Sequence, residues 1–309
     1  TMIHQTPASP CVFRLSTYSA CTSALELNAT QIASFSSRFD GRTIAFVGDS
    51  LVRQQFHQLI CLLSRRMDVR TVSRRYWECK TLECLNLFTR IVMRAPATNA
   101  TVILQSRWLK GFPIATDLEP HLITSAHAIV FGIGAFVSKS AMEATMLQWE
   151  RTWLHDVRVR GGIILWLEYF AGHANTTDGE YAGSSHSEYF TVTQRSTALY
   201  PCVPLSKHGV FLARANPRHA DGNRVAHRLG WPIVPTFDQA LDRHMDHPGV
   251  SPRAGVGNVT DCRHWSACSD VVAHRTVAIL EALMVAHVHA HVLSPPIVPS
   301  EANHKNGRG

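Results

Sequence analysis

The sequence predicts an α/β fold in which a mainly parallel sheet is covered by helices on both faces. Three short apolar runs carry this prediction, at residues 42–47, 126–131 and 161–169. Strands that are apolar at nearly every position are typical of parallel sheets, which are buried on both faces. Stretches with helical spacing of apolar residues separate these runs and supply the covering layers.

The first predicted strand, residues 42–47, ends at Gly48-Asp49-Ser50 and leads directly into a helix. The apolar residues of that helix recur at helical spacing. They are Leu51, Phe56, Leu59, Ile60, Leu62 and Leu63. The pattern is therefore strand, tight turn, helix.

The later elements follow the same alternation. A helix is predicted over Ser140–Val157, with Trp149 and Trp153 at core spacing. Two shorter strands are predicted at Val210–Ala215 and Trp231–Pro235. The remaining elements are a polar surface loop at residues 172–188 and a closing helix from about Asp270 to Val292.

Composition places the chain among globular proteins. Of its 309 residues, 45% are hydrophobic and 17% charged, which excludes intrinsic disorder of the whole chain. The net charge is +7. No basic cluster with interleaved aromatic residues accompanies it, so nucleic-acid binding is not predicted. An anionic polysaccharide or a negatively charged acyl donor would use the same positive field.

Cysteines and sequons indicate the secretory pathway. The eight cysteines form no C-x-x-C pair, and most lie among polar residues, which suits disulfides. Cys61 lies in an apolar run and is expected to be a buried thiol. Four N-x-S/T sequons occur where chance predicts about one. Their asparagines are Asn28, Asn99, Asn175 and Asn258.

No predicted segment spans a membrane. The most apolar stretch, residues 276–293, contains Glu281 and three histidines. The sequence starts at Thr1, and we expect it to be a lumenal piece of a longer protein.

Gly48-Asp49-Ser50 stands where a parallel sheet exposes its strand ends, which is where such folds bind ligands. The helix that follows offers backbone N–H groups and a positive dipole end. Ser50 can therefore be a nucleophile with an oxyanion site beside it. The alternative is that Asp49 or Ser50 only caps the helix.

Asp261-Cys262-Arg263-His264-Trp265 stands before the closing helix. A serine hydroxyl needs a base, and an imidazole serves when a carboxylate fixes its tautomer. Asp261 and His264 are three residues apart, close enough for such a pair. The alternative is a capping Asp with an incidental His.

Together the two motifs resemble the trichome-birefringence-like and PC-esterase group within the GDSL/SGNH hydrolases. The G-D-S-L-x-R-x-Q stretch beginning at Gly48 and the D-C-x-H-W block beginning at Asp261 carry the resemblance and keep the order of the family. The resemblance implies a three-layer α/β/α sandwich, and it covers about 25 residues specifically.

The resemblance implies an O-acyltransferase, usually an O-acetyltransferase, acting on cell-wall polysaccharide in the Golgi lumen. Ser50 would carry the acyl group, His264 would be the base and Asp261 its orienting carboxylate. An esterase of the same class is the first alternative, and a non-catalytic glycan-binding or scaffold protein the second. The expected partners are a polysaccharide acceptor and an acyl donor such as acetyl-CoA or another acetylated carrier. No other cofactor is expected, and a membrane is expected only through an N-terminal anchor preceding this chain, in a Golgi or secreted protein.

The expected organisation combines the composition along the chain with this resemblance. Residues 1–38 form an irregular, disulfide-linked segment, residues 39–293 the catalytic domain, and residues 294–309, rich in proline, a disordered tail.

The sequence departs from the family at several places. Gln54 replaces the usual Asn, so its amide is only a weak candidate oxyanion donor, beside the Ser50 N–H and Gly134. The family has a Cys directly after the Trp. This chain lacks it, and its next cysteine, Cys268, comes three residues after Trp265. The D-A-H-P segment of the family is echoed only by Asp246-His247-Pro248.

His287 and His291 have the spacing of a metal-binding pair on a helix. No Cys or carboxylate accompanies them, so a solvent-exposed helix end is expected and no metal.

Overall fold

The computed structural model shows an α/β sandwich with a mostly parallel seven-stranded sheet. The structure describes residues 27–77, 86–108, 125–133, 137, 139–180, 201–253, 257–266 and 269–293. The strand order is β2-β3-β4-β1-β5-β6-β7, with a separate two-stranded hairpin, β8-β9. The fold class expected from the sequence is confirmed. The predicted tail, residues 294–309, lies outside the described residues.

The strands are β1 (Thr43–Gly48), β2 (Asp68–Trp77), β3 (Asn86–Arg94), β4 (Thr101–Trp108), β5 (Ala128–Gly132), β6 (Ile163–Leu167), β7 (Ile233–Val234), β8 (Gly249–Arg253) and β9 (Gly257–Asp261). The helices are α1 (Ala29–Arg38), α2 (Ser50–Ser64), α3 (Met142–Trp149), α4 (His155–Val159), α5 (Lys207–Ala215), α6 (Pro217–Arg228), α7 (Phe237–Ala240) and α8 (Asp270–Leu293). A π-helical turn, Glu150–Leu154, joins α3 to α4.

Side-chain alternation on the central strand builds a core on each face of the sheet. Ile44 and Phe46 of β1 face the layer formed by α1, α2 and α8. Ala45 and Val47 face the layer formed by α3, α4 and α6. All four are essentially inaccessible to solvent. The near-continuous apolar strand thus reflects burial on both sides, which is what a parallel sheet requires.

Two predicted elements differ in the structure. Residues 29–38 form helix α1 instead of an irregular segment, because Asn28 and Gln31 make a reciprocal capping box at its start. Val210–Ala215 lies on helix α5 instead of a strand, because the Ser206 hydroxyl accepts from the Gly209 N–H and starts a helix there. The apolar run is short enough to suit either element.

The antiparallel strands β2, β3 and β4 were not predicted. β2 pairs with β3, and β3 pairs with β4. β4 also pairs in parallel with β1 and so connects these strands to the parallel part of the sheet. Charged residues such as Arg74 and Arg75 interrupt β2, so its sequence lacks the apolar run that marks the central strands. The remaining predicted elements, including the short strand after Trp231 and the closing helix, are present.

Two glycines let the central strands approach closely at their carboxyl ends. A Cβ atom on Gly48 would stand 1.9 Å from the Gly132 carbonyl oxygen of β5. A Cβ on Gly132 would stand 2.9 Å from a methyl carbon of Val52, in the first turn of α2. The lack of side chains at Gly48 and Gly132 therefore lets β1, β5 and the first turn of α2 pack closely together.

The closing helix α8 lies on the α1/α2 face. Its stretch Asp270–Val288 passes as a candidate membrane span by length and composition alone. In the structure Ile279 and Leu283 are fully buried against the sheet, as expected of a core helix. Trp149 and Trp153 are buried in the opposite layer, as predicted.

Glu168 joins three elements at the carboxyl edge of the sheet. It follows β6, and one carboxylate oxygen accepts from His219 and Asn223 of α6. The other accepts from the backbone N–H groups of Thr236 and Phe237, after β7. Burial alone would raise the pKa of Glu168, but these hydrogen bonds lower it to about 2.

We predict that Glu168→Gln destabilises the protein at neutral pH by roughly 3 kcal/mol, the equivalent of a pKa shift from 4.5 to about 2. Because the folded-state pKa lies below the unfolded value, this stabilisation is present above about pH 4.5 and is lost as the pH falls toward 2. Urea unfolding at several pH values measures the difference between wild type and variant, which should shrink in acid.

Glu143→Gln is the matched control, since Glu143 is a surface carboxylate paired with Arg224 and Arg228. It should change the free energy of unfolding little. An equal loss of stability for Glu168→Gln at neutral and acidic pH would contradict the role assigned to the charge.

Candidate active site

Ser50 is the first residue of α2, directly after the turn that ends β1. Asp49 is the N-cap, and its carboxylate accepts the Leu51 N–H at 2.9 Å. The cap and the candidate nucleophile are therefore separate, adjacent residues. Because Asp49 caps the N-terminus of the helix, the Ser50 hydroxyl is available for another partner.

That partner is His264, whose Nε2 lies 2.6 Å from the Ser50 Oγ. The other ring nitrogen, Nδ1, lies 2.8 Å from Asp261 Oδ2. Asp261 ends strand β9, and its second oxygen accepts the backbone N–H groups of Arg263 and His264. The structure thus brings together Ser50, Asp261 and His264, the three residues predicted from the two motifs.

Electrostatics keep the orienting carboxylate ionised. Burial would raise the pKa of Asp261, but its electrostatic interaction with the His264 ring and the hydrogen bonds from residues 263–264 hold it well below its usual range. An ionised Asp261 accepts the Nδ1–H and leaves the Nε2 lone pair facing the serine. This arrangement can take the proton of Ser50 as its hydroxyl attacks a carbonyl carbon.

Gln54 has a different contact from the one expected. Its amide N–H donates to the Trp265 carbonyl at 2.5 Å, and its amide oxygen accepts the Trp265 N–H at 3.3 Å. Both ends of the amide are therefore bound to the backbone beside His264. These contacts give Gln54 a bracing role, and the oxyanion role considered for its second amide N–H stays a prediction. Gly134, the other residue considered, lies outside the described residues.

A disulfide holds the same loop. Cys202 and Cys262 are bonded, with Cα atoms 5.3 Å apart, and Cys262 directly follows Asp261. Cys61 is also disulfide-bonded, so the expected buried thiol is wrong, and its partner lies outside the described residues. An apolar neighbourhood on α2 concealed that bond in the sequence.

A buried ionic cluster fixes the loop from a further direction. Arg263 donates to Glu180 at 2.6 Å, and the same carboxylate accepts from Arg218 and the Tyr169 hydroxyl. Burial raises the pKa of Tyr169. Glu180 lies in residues 172–180, which were expected at the surface; His173 and Glu180 of this stretch are in fact buried. Residues 181–188 of the predicted loop lie outside the described residues.

Arg275 of α8 is a fully buried cation near the site. Its side chain is fully buried, with the guanidinium 4.2 Å from the centroid of the Phe170 ring. Its nitrogens have no hydrogen-bond partner within the described part of the chain. Burial lowers the pKa of Arg275 to about 9, although the carboxylates of Asp49 and Glu168 oppose that shift.

The predicted glycosylation sites stand in different settings. Asn28 is the exposed N-cap of α1, and Asn99 and Asn175 are exposed in turns. Asn258 lies on β9, and its side chain is outside the described residues. His287 is half-buried against Phe39 and faces Arg42, so it does not form the exposed helix end expected there.

The fold and these contacts define a class: an α/β sandwich with a serine–histidine–aspartate constellation at the carboxyl edge of its sheet, the arrangement used for acyl transfer. Residues 27–107 match the family model of the PC-esterases, described as a GDSL/SGNH-like acyl-esterase family found in Pmr5 and Cas1p. That segment contains Ser50 and Gln54.

A curated relative agrees. The chain is 32% identical over 96 residues to protein trichome birefringence-like 14 of Arabidopsis thaliana. The match covers 30% of this chain and spans about a quarter, 24%, of the relative. At modest identity and partial coverage, the two findings support the trichome-birefringence-like/PC-esterase family for this chain, as its two motifs indicated.

We predict that Gln54→Ala lowers the turnover of an acetyl ester about 10-fold while the protein stays folded. The reason is geometric, since a reacting group displaced by about 1 Å loses up to two orders of magnitude in rate. Steady-state kinetics with a chromogenic acetyl ester and thermal melting measure the two effects.

Gln148→Ala, at an exposed glutamine of α3, is the matched control. Unchanged turnover in Gln54→Ala would show that the position of His264 does not depend on this amide.

Proposed function

We propose that this chain is a serine-dependent O-acyltransferase, and specifically an O-acetyltransferase that modifies polysaccharide through an acyl-Ser50 intermediate. The carrying observation is the continuous hydrogen-bonded chain Ser50–His264–Asp261, with contacts of 2.6 and 2.8 Å. The match to a family of acyl esterases supports the same chemistry.

In the first half-reaction the Ser50 oxygen attacks the acyl carbonyl of the donor while His264 Nε2 takes the hydroxyl proton. The negative charge forms on the carbonyl oxygen, close to the N-terminus of α2. The backbone N–H of Ser50 and the dipole of that helix would stabilise it. Collapse expels the leaving group, which receives the proton from His264, and leaves an ester on Ser50.

In the second half-reaction a sugar hydroxyl gives its proton to His264 and attacks the acyl-serine. The new ester departs, and Ser50 recovers its proton from the imidazole. Water in place of the sugar would make the protein an esterase, which is the second candidate because the family is described by that activity. The two candidates use the same residues and differ in the acceptor.

A non-catalytic binding protein is the third alternative. It would be favoured if the three side chains lay apart, and they lie within hydrogen-bonding distance. The acceptor we propose is a polysaccharide and the donor an acetylated carrier. A net charge of +7 would attract acidic forms of either. We propose the Golgi lumen or the secreted space as the location, with a membrane anchor on a longer chain.

We predict that Ser50→Ala lowers the turnover of an acetyl ester by at least about 10³-fold and leaves the melting temperature within a few degrees of wild type, because triad members act as a unit. The assay uses a chromogenic acetyl ester with and without added oligosaccharides. Mass analysis follows acetyl groups on the sugar and on intact protein.

Ser64→Ala, at the opposite end of the same helix, is the matched control and should retain full turnover. Near-native turnover in Ser50→Ala would remove the catalytic assignment. Acetylated sugar would identify a transferase, and free acetate alone an esterase.

We also predict glycans on at least one of Asn28, Asn99, Asn175 and Asn258 when the chain is made in a eukaryotic secretory host. Asn175 is the first choice, because it is exposed in a polar turn. Glycosidase treatment should increase gel mobility, and Asn175→Gln should remove part of that shift.

Asn306→Gln, outside any sequon, is the control. Unchanged mobility together with eight titratable thiols would place the chain in a reducing compartment.

A further inference from the structure

Two buried histidines bridge the backbone of the catalytic loop to a neighbouring segment. His173 Nε2 lies 2.9 Å from the Leu241 carbonyl oxygen, and its Nδ1 lies 2.7 Å from His247 Nε2. His247 Nδ1 lies 2.6 Å from the carbonyl oxygen of His264. We call His173 and His247 the histidine pair, and residues 261–266 the His264 loop.

These three contacts require three ring protons. A carbonyl oxygen only accepts, so His173 Nε2 and His247 Nδ1 must each carry a proton to bond it. The two remaining nitrogens face each other, and one of them must also carry a proton. Two neutral imidazoles have two protons between them. The full set of contacts therefore belongs to a pair that shares one positive charge.

A pair without the third proton loses one contact, wherever its two protons sit. With both protons on the carbonyls, two lone pairs face each other at 2.7 Å. In the other arrangements, either His264 or Leu241 loses its donor. The geometry of the His264 loop is thereby linked to one proton that the acyl-transfer chemistry does not use.

We propose that the histidine pair is a proton-dependent positioning element: by holding the His264 carbonyl, it sets the alignment of the catalytic imidazole with Ser50. The kinetic part of this proposal rests on the proposed function; the proton count does not.

Further contacts tie the same segments to the loop. The His247 ring stacks on Trp265 with centroids 4.1 Å apart. Two backbone hydrogen bonds join the segments as well: the backbone N–H of His173 donates to the Cys262 carbonyl, and the backbone N–H of Ser266 donates to the Asp246 carbonyl. The histidine pair therefore contacts the loop on both sides of His264, and a shift of either ring is transmitted to it.

The charges around the pair determine when the proton binds. Burial lowers the pKa of both rings, that of His247 to about 4. Repulsion from the His244 and His264 rings, whenever these carry a proton, acts in the same direction, whereas Asp242 and Asp261 favour the charged pair. Because the sites are coupled, the third proton belongs to the pair. It binds in acid and leaves as the pH rises.

Two variants separate the contact from the charge. His247→Phe keeps a ring against Trp265 but removes both hydrogen bonds, and we expect kcat for an acetyl ester to fall about 10-fold with KM unchanged. His247→Asn places an amide N–H near the former Nδ1, where it can donate to the His264 carbonyl at every pH. We expect it to recover kcat to within about 3-fold of wild type.

The pH dependence of kcat is a readout that a purely structural role of His247 would not change. The kcat of His247→Asn relative to wild type should rise severalfold between about pH 3 and pH 6, the range around the lowered pKa in which the wild-type pair loses its proton. His227→Phe, at an exposed histidine of α6, is the matched control. A constant ratio across that range would overturn the proton-dependent role.

Nitrogen-15 NMR of histidine-labelled full-length chain tests the proton count without any activity. At acidic pH we expect three ring N–H groups on the pair, one of them in an N–H···N hydrogen bond, and two at higher pH, with signals assigned by the two His247 variants. Two protons at every pH at which the chain is folded, or four in acid, would overturn the proposal.

The two failures are distinguishable. Wild-type protein that turns over no ester with any acceptor would defeat the proposed function, and the NMR count would still decide the histidine pair. Ester turnover by wild type with a wrong proton count, or with His247→Phe as active as wild type, would defeat the histidine pair alone.

Discussion

The geometry of the candidate active site depends on the contact between the first turn of α2 and a loop more than two hundred residues later in the chain. Ser50 and His264 are 214 positions apart, yet their side chains meet at 2.6 Å. Gln54 follows Ser50 by one helical turn, so both residues face the same side of α2. Trp265 follows His264 directly, so the Gln54–Trp265 hydrogen bonds and the serine–histidine contact belong to one continuous interface between α2 and the loop. A movement of the loop along α2 would disturb both together.

Burying charged groups beside this contact carries an electrostatic cost, which the surrounding residues offset. The carboxylate of Asp49 is buried directly before Ser50, where a developing oxyanion would meet like charge. The N–H groups at the start of α2 solvate that carboxylate, as its bond to Leu51 shows. Arg275 adds a buried positive charge that interacts with both Asp49 and Glu168. A buried cation without a hydrogen-bond partner in the described residues does not favour stability. Its benefit lies in balancing the two carboxylates beneath the site.

The parts predictable from the sequence are those where one local signal decides the structure. Strand β1 is apolar on both faces, and the turn after it is marked by Gly48, whose place a larger residue cannot take. The mixed-charge strand β2 gives no such signal, and the short run at Val210–Ala215 fits either a strand or a helix. The bracing contacts of Gln54 and the histidine pair depend on tertiary neighbours, which no local pattern encodes. The Asp246-His247-Pro248 segment was the only sequence hint of the pair.

The braces on the His264 loop act on its backbone and on neighbouring side chains. The disulfide at Cys262, the amide of Gln54 and the donor on His247 all bind at positions adjacent to the imidazole or on its own carbonyl. They restrict where the ring lies and hold its Nε2 beside Ser50. Under the proposed function, transfer to a sugar and hydrolysis by water would use the same base in the same position. The choice between them would depend on which hydroxyl occupies the space beside the acyl-serine, because the proton acceptor would be common to both.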